Sequence, residues 1–334
     1  MVLINDEIEL RGELVEELQT CNAIAGFLHS FHKTKPGNKR KTGKEQYYTI
    51  PEISDFCVEK TRKYIKEDSI ILEPAGGRGD FIESIKRAGF KNKIVSCDIE
   101  PKHKEVLKAN FLESSGFITA AGFKVDDHYV TLTNPPFGRM SSLAVKFFNE
   151  AAKFSEVIGF IVPKAWKKWS LINRLDSSFH LIETYSLPEV CFYSEETGVY
   201  GKNLNTIFQI WKKGNEQRPK ITIPDPELIK KTSPEDADVV LTTFGWGCGN
   251  VIEDFKRVKN TCYAFYKING EKRKVIDALK EIDFSIFYNN VSYTQCLGIQ
   301  EVNWCLNEYF GLPNLQGVDA TYLPEKLLLG ERNK

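Results

Sequence analysis

The chain has 334 residues, 42% of them apolar and 27% charged, and its 45 basic residues balance its 45 acidic ones. That is enough apolar material for a substantial core, and enough length for two domains or one large one. Zero formal charge excludes a generally sticky polycation, so any affinity for a polyanion must come from local clusters. No apolar run approaches the roughly 20 residues that a membrane-spanning helix needs, and the acidic start Met1 to Asp6 is unlike a secretory leader. The expectation is an intracellular, cytoplasmic protein, associated with a nucleoid or nucleus where it meets nucleic acid. The eight cysteines include no Cys-x-x-Cys pair, which argues against a zinc module and a disulfide framework. No metal is expected; His29 and His32, near Cys21, read as packed or solvated side chains.

Residues 3–31 place Leu10, Leu14, Leu18, Phe27, Leu28 and Phe31 at spacings of three and four, which predicts an amphipathic helical cap. A basic run follows, Lys33, Lys35, Lys39, Arg40, Lys41 and Lys44, with no acid in it. From Tyr47 onward short apolar strands alternate with helices. The predicted strands are Ser69 to Glu73, Lys93 to Cys97, Val106 to Ala109, Tyr129 to Thr133 and Val157 to Val162. The predicted helices are Phe81 to Arg87, Ala144 to Lys153 and Trp166 to Leu175. Leu181 to Leu187 and Leu204 to Trp211, joined only by a loop, suit an antiparallel pair at a sheet edge. This order predicts a doubly wound, Rossmann-like α/β sheet with ligands at the carboxyl ends of its strands. Pro219, Pro224 and Pro226 mark a boundary. The expected organisation is an N-terminal helix and basic loop (1–46), a catalytic domain (47–214) and a smaller recognition region (215–334). In the last, Gly245 to Gly249 reads as an exposed loop, and Lys272 to Ile282 and Ile299 to Phe310 as helices.

Glu73-Pro74-Ala75-Gly76-Gly77-Arg78-Gly79-Asp80-Phe81 sets an acid at a strand end, then small residues, then a helix start. Glycine allows a sharp turn and close approach to a ligand. Asp98, ending the next strand, can accept both hydroxyls of a ribose. Nicotinamide or flavin binding would use the same two elements.

Asn134-Pro135-Pro136-Phe137 decides against those cofactors, because it follows the fourth strand at the same sheet edge and answers a different chemical problem. An exocyclic amine on adenine is a poor nucleophile, since its lone pair is delocalised into the ring. The Asn134 side-chain oxygen and the Pro135 carbonyl can accept the two amino hydrogens, favouring tetrahedral nitrogen and stabilising the charge that develops. The prolines fix φ and preorganise those acceptors, while Phe137 offers a face on which a base can stack. Carbon methylation of cytosine would require a cysteine nucleophile in a Pro-Cys context; no cysteine here follows a proline.

With Glu73 to Phe81, Asp98 and Asn134 to Gly138 in this order, residues 45 to 214 resemble the γ-class, amino-methylating DNA adenine methyltransferases. The resemblance implies S-adenosylmethionine as cofactor and a Rossmann-like methyltransferase domain. It also implies that Tyr48 and Thr49, before the intruding Ile50, lie near the methionine end of the cofactor. Ala75, Gly77 and Gly79 would be loop contacts, Asp98 the ribose acid and Ile99 an apolar neighbour of the cofactor's adenine. At Asn110-Phe111 the family usually has an acid before the aromatic, so here an amide would contact that adenine. Phe192 or Tyr193, ahead of Asn205 to Phe208, resembles the aromatic that sandwiches a flipped base, with an extra loop, Ser194 to Lys202, between the two pieces.

Lys164, Lys167, Lys168 and Arg174, interleaved with Trp166 and Trp169, read as a basic, aromatic lip for nucleic acid. Lys256, Arg257, Lys259, Lys272, Arg273 and Lys274 would contact phosphates from the recognition region. The expected substrate is adenine in DNA, as in restriction-modification systems. RNA adenine methyltransferases, glutamine methyltransferases of release factors and a catalytically inactive binding subunit are the alternatives, since the first two share the Asn-Pro-Pro pattern.

Overall fold

The computed structural model describes residues 47–113, 128–194, 199–200, 204–291, 294–315, 319–322 and 324. The expected N-terminal helix, its histidines and the basic run before Tyr47 lie outside the described residues. The described residues form two compact units: those up to Pro163 together with Ser178–Asn215, and Lys164–Ser177 together with those from Glu216 on.

In the first unit, strands β1 (Tyr48–Thr49), β2 (Ile70–Glu73), β3 (Ile94–Asp98), β4 (Leu107–Lys108), β5 (Tyr129–Thr133) and β6 (Ser155–Pro163) alternate with helices α1 (Pro51–Thr61), α2 (Asp80–Arg87) and α3 (Ser142–Ala151). The chain returns to this unit as β7 (Phe179–Ser186), β8 (Phe192–Ser194), β9 (Val199–Tyr200) and β10 (Thr206–Lys213). Seven strands form one sheet in the order β4-β3-β2-β5-β6-β10-β7. The first five of these run parallel, and β10 is antiparallel to both β6 and β7. The doubly wound α/β architecture is therefore the observed one, with a seven-stranded mixed sheet. The expected antiparallel pair forms, but β10 enters between β6 and β7, so of the two only β7 lies at an edge.

Local chemistry accounts for the elements. All five residues of β5 are buried, which suits a central strand covered on both faces. Pro51 opens α1 at a position where its missing N–H costs nothing. Helix α2 carries Asp80 and Glu83 in its first turn and Lys86 and Arg87 in its last, complementing the helix dipole. The Ser54 and Ser84 hydroxyls, 2.7 Å apart, join α1 to α2 in a buried contact, beside a core that includes Ile53, Val58, Ile71, Phe81, Leu132 and Phe208.

A second, small sheet was not anticipated. β8 pairs with β1 and with β9, aligning Tyr48 with Tyr193 and Thr49 with Phe192. The segment read as an interrupting loop thus supplies residues to both β8 and β9.

The second unit contains a four-stranded antiparallel sheet, β11 (Ile229–Lys231), β12 (Val239–Thr242), β13 (Val251–Ile252) and β14 (Tyr263–Ile268), in the order β11-β14-β12-β13. Its helices are α4 (Trp169–Ile172), α5 (Lys272–Glu281), α6 (Ser285–Tyr288) and α7 (Ile299–Phe310). The expected helix over Trp166 to Leu175 divides into a 3-10 turn, Lys164–Lys167, and the single turn α4. Trp166 and Trp169 are both buried, and Trp169 packs on Phe287 and Trp304 with ring centroids 5.2 and 6.4 Å away. Lys168 makes a buried ion pair with Glu301 at 2.8 Å. Glu301 is pushed above the usual carboxylate range by its burial, against the pull of Lys168.

Candidate active site

A cleft of about 520 Å³ opens at the carboxyl ends of β2, β3 and β5 in the first unit, where a doubly wound sheet binds its ligands. Tyr48, Thr49, Glu73, Ala75, Gly77, Asp98, Ile99, Asn110, Phe111, Asn134, Pro135, Pro136 and Phe137 all line it. Residues distant in sequence are thus gathered into one pocket.

One wall is the turn between β2 and α2. Gly77 (φ +46°) and Gly79 (φ +80°) take left-handed conformations, which only glycine adopts without cost. A Cβ on Gly77 would also lie 3.0 Å from the Tyr48 ring, so the turn, that ring and the cleft are in close register. Gly79 does not line the cleft; it abuts His103 and opens α2. Asp98 stands opposite, its Oδ2 accepting the Gly77 N–H at 3.0 Å and its Oδ1 the Glu100 N–H at 2.8 Å. Each oxygen keeps a further lone pair for a ligand.

Carboxyl groups dominate the lining of this wall, with Arg78 paired to Asp80 at 3.4 Å behind it. Glu73, Asp80, Asp98 and Glu100 line the cleft, and the lining includes neither lysine nor arginine. Glu73 is 1% exposed and accepts a hydrogen bond from Ser96 at 3.0 Å. Burial, reinforced by the nearby Asp80 and Asp98 and opposed by the Ser96 bond, pushes its carboxyl up to about 8. Asp80 is raised by burial as well, in spite of Arg78. Such a surface suits a cationic ligand and repels the pyrophosphate of a dinucleotide. Sequence reading missed Asp80, although its place directly after the last loop glycine could have signalled it.

Asn134 and the residues after it form the other wall. The Asn134 Nδ2 donates to the Tyr47 carbonyl at 3.0 Å. Because a carbonyl can only accept, this bond assigns the amide nitrogen to Tyr47 and leaves Oδ1 as the acceptor end of the amide. Phe137 is half-buried and lines the cleft. Phe192 meets it edge-on, with centroids 6.4 Å apart and planes at 73°.

Several expected contacts have other partners or lie outside the lining. Phe192 is buried in the core behind Phe137 and does not line the cleft. Tyr193 is half-buried and also outside the lining, with the Arg78 guanidinium 5.1 Å from its ring and 4.7 Å from that of Tyr48. The Asn110 amide caps its own turn, donating to Glu113 and accepting from the Leu112 N–H. Phe111 packs on Phe147, whose centroid is 5.6 Å away. Lys164 and Lys167 belong to the second unit, the former half-buried and the latter exposed. The aromatic faces expected between them are not displayed, because burial of Trp166 and Trp169 outweighs exposure to water, and Lys168 is held by Glu301. Arg257 donates to the Pro234 and Ala237 carbonyls, Lys272 pairs with Asp238, and Arg273 pairs with Asp277.

No protein-family model and no curated protein matches the chain. Solved structures resemble it loosely. A suspected RNA methyltransferase of Pyrococcus horikoshii is 14% identical over 55% of this chain and 93% of its own, with a TM-score of 0.40. The methyltransferase subunit of a type I restriction-modification system from Streptococcus thermophilus is 11% identical over 71% of this chain and 54% of its own, with a TM-score of 0.38. A Pyrococcus furiosus methyltransferase is 12% identical over 60% and 97% of the two chains, with a TM-score of 0.30. The architecture that stands on its own is the doubly wound, Rossmann-like seven-stranded mixed sheet described above. Among the described residues no helix is long and apolar enough to cross a membrane.

Proposed function

We propose that this chain transfers a methyl group from S-adenosylmethionine to the N6 amino group of adenine in DNA. The observation that carries the reading is the pairing, in one cleft, of a wall lined by four carboxyl groups with the oriented amide of Asn134. A cofactor bearing a sulfonium and an ammonium fits the first wall, and an amine that must be made nucleophilic fits the second.

When bound, the cofactor supplies an electrophilic methyl on sulfur. Asp98 would accept from its ribose hydroxyls, Gly77 would let the backbone approach, Ile99 would cover its adenine, and Glu73 with Tyr48 and Thr49 would face its charged end. Asn134 Oδ1 and the Pro135 carbonyl would each accept one hydrogen of the target amine. This draws the nitrogen lone pair out of the ring, so that it can form the new carbon–nitrogen bond as the carbon–sulfur bond breaks. The nitrogen then carries the positive charge and releases a proton to water, so no charged base is required. Pro135 and Pro136 hold the acceptors still. Phe137, braced edge-on by Phe192, would stack on the base; Tyr193 could close the site only from outside the present lining.

DNA is preferred because a catalytic unit followed by a recognition region is the arrangement common among the DNA enzymes that the motifs resemble. The test is transfer of labelled methyl to duplex DNA, single-stranded DNA and structured RNA, followed by nucleoside analysis. Methyladenine in DNA, lost in Asn134→Ala, is the expected result. Activity on RNA alone would move the assignment to an RNA enzyme. Methylated glutamine without methylated nucleoside would move it to a protein substrate.

A further inference from the structure

The chain leaves the cleft wall at Gly138 and rejoins it at Leu143, and both residues line the cleft. Between them it makes a short excursion whose base is closed by two bonds, the Leu143 and Ala144 N–H groups donating to the Phe137 carbonyl at 3.2 and 3.3 Å. Gly138 adopts φ 68° and ψ 176°, and a Cβ there would lie 2.8 Å from Leu143 Cβ. Two non-glycine residues, Met140 (φ 51°, ψ 39°) and Ser141 (φ 56°, ψ 21°), are then left-handed in succession. L-residues avoid that region, and consecutive occupancy persists only where the surroundings over-determine it. Met140 ends 80% exposed, one of the largest apolar side chains left in water, with exposed Arg139 beside it.

Packing alone would favour the opposite outcome, since a relaxed turn could fold a methionine back onto the protein. Here the backbone is held against its preference, and the effect is to stand an unbranched apolar side chain at the rim, three residues from the ring of Phe137. We infer that Met140 is a positioning residue that enters a base-paired nucleic acid at the step vacated by the target adenine, while Arg139 meets the adjoining phosphate. This inference rests on the adenine-methylating reading of the same cleft. The chemistry fits the vacancy: a thin, polarisable thioether slides between the faces of stacked bases, and apolar wedges of this kind hold a duplex open. The bonds to the Phe137 carbonyl tie the wedge to the ring that would receive the extruded base.

The experiment compares full-length wild type, Met140→Ala and Met140→Leu in single-turnover methylation. The substrates are a duplex with the target adenine paired, the same duplex with an abasic site opposite the target, and the single strand. Met140→Ala should slow the paired duplex roughly ten- to hundredfold, leave the abasic duplex and single strand near wild-type rates, and leave cofactor binding and thermal midpoint unchanged. Met140→Leu should restore most of the paired-duplex rate. Equal loss on paired and unpaired substrates, no loss on any, or a wild type active only on unpaired strands would each overturn the wedge while leaving the reaction assignment intact. A wild type that methylates no adenine in any nucleic acid would instead remove the underlying assignment, and the wedge with it.

Discussion

The two walls of the cleft are built on opposite principles. On the side of Glu73 and Asp98 every left-handed residue of the turn is a glycine, so the backbone is relaxed, and the cost lies in burying carboxyl groups near one another. On the side of Asn134 the cleft-lining charges are absent, and the cost lies in the backbone, where Met140 and Ser141 are held left-handed. The first wall carries its cost as the desolvation of its carboxyl groups. The second wall carries its cost as conformational strain in Met140 and Ser141.

That contrast can be broken most forcefully at Asn134. Asn134→Ala should lower turnover by roughly two to three powers of ten, the scale of losing one oriented charge-stabilising partner, while calorimetric affinity for S-adenosylmethionine stays put. Loss of affinity instead would mean that the two walls do not divide the labour. Asp98→Ala should do the reverse, weakening cofactor binding by about ten- to a hundredfold, with a smaller change in rate at saturating cofactor. Glu73→Gln sharpens the electrostatic half. With its carboxyl raised from 4.5 to about 8, folded wild type retains a proton that the unfolded chain has released, so its stability should fall as pH rises across that window. The Gln variant should lack this component, its thermal midpoint declining less by a few degrees or so; wild-type affinity for the cationic cofactor should rise only as pH passes about 8, where folded Glu73 ionises. The smallest effect belongs to the strained side: Ser141→Gly should raise stability by about 0.5–1 kcal/mol in denaturant titration, and a loss there would show that the left-handed turn is not under strain.

Much of the first unit was legible because its signals are local. Strand β5 spans the expected Tyr129–Thr133, and α7 in the second unit the expected Ile299–Phe310, since an apolar run after a polar break and a heptad-like stripe each specify one element. The glycine turn, Asp98 and Asn134 could be placed at one sheet edge because each follows a parallel strand. What was missed depends on partners far away in sequence. Strand β8 is three residues long and exists through its pairing with β1. The strands of the four-stranded sheet have two to six residues, with irregular connections. The tryptophans after Pro163 looked like a display of aromatics among lysines, because spacing alone does not reveal which side of so short a helix is covered. Phe192 was sought as a wall of the site, whereas its ring supports the wall from behind.

The late insertion of β10 has a consequence for how the protein is made and cut. Its residues Thr206–Lys212 pair with Val157–Pro163, so a nascent chain that has emerged only as far as Pro163 presents the nine-residue β6 with one side bare. A bare apolar edge is a template for aggregation, which makes Pro163 a poor terminus for expressing the first unit. A soluble fragment has to run through Lys213 and carry the intervening Lys164–Ser177 segment along or replace it with a linker.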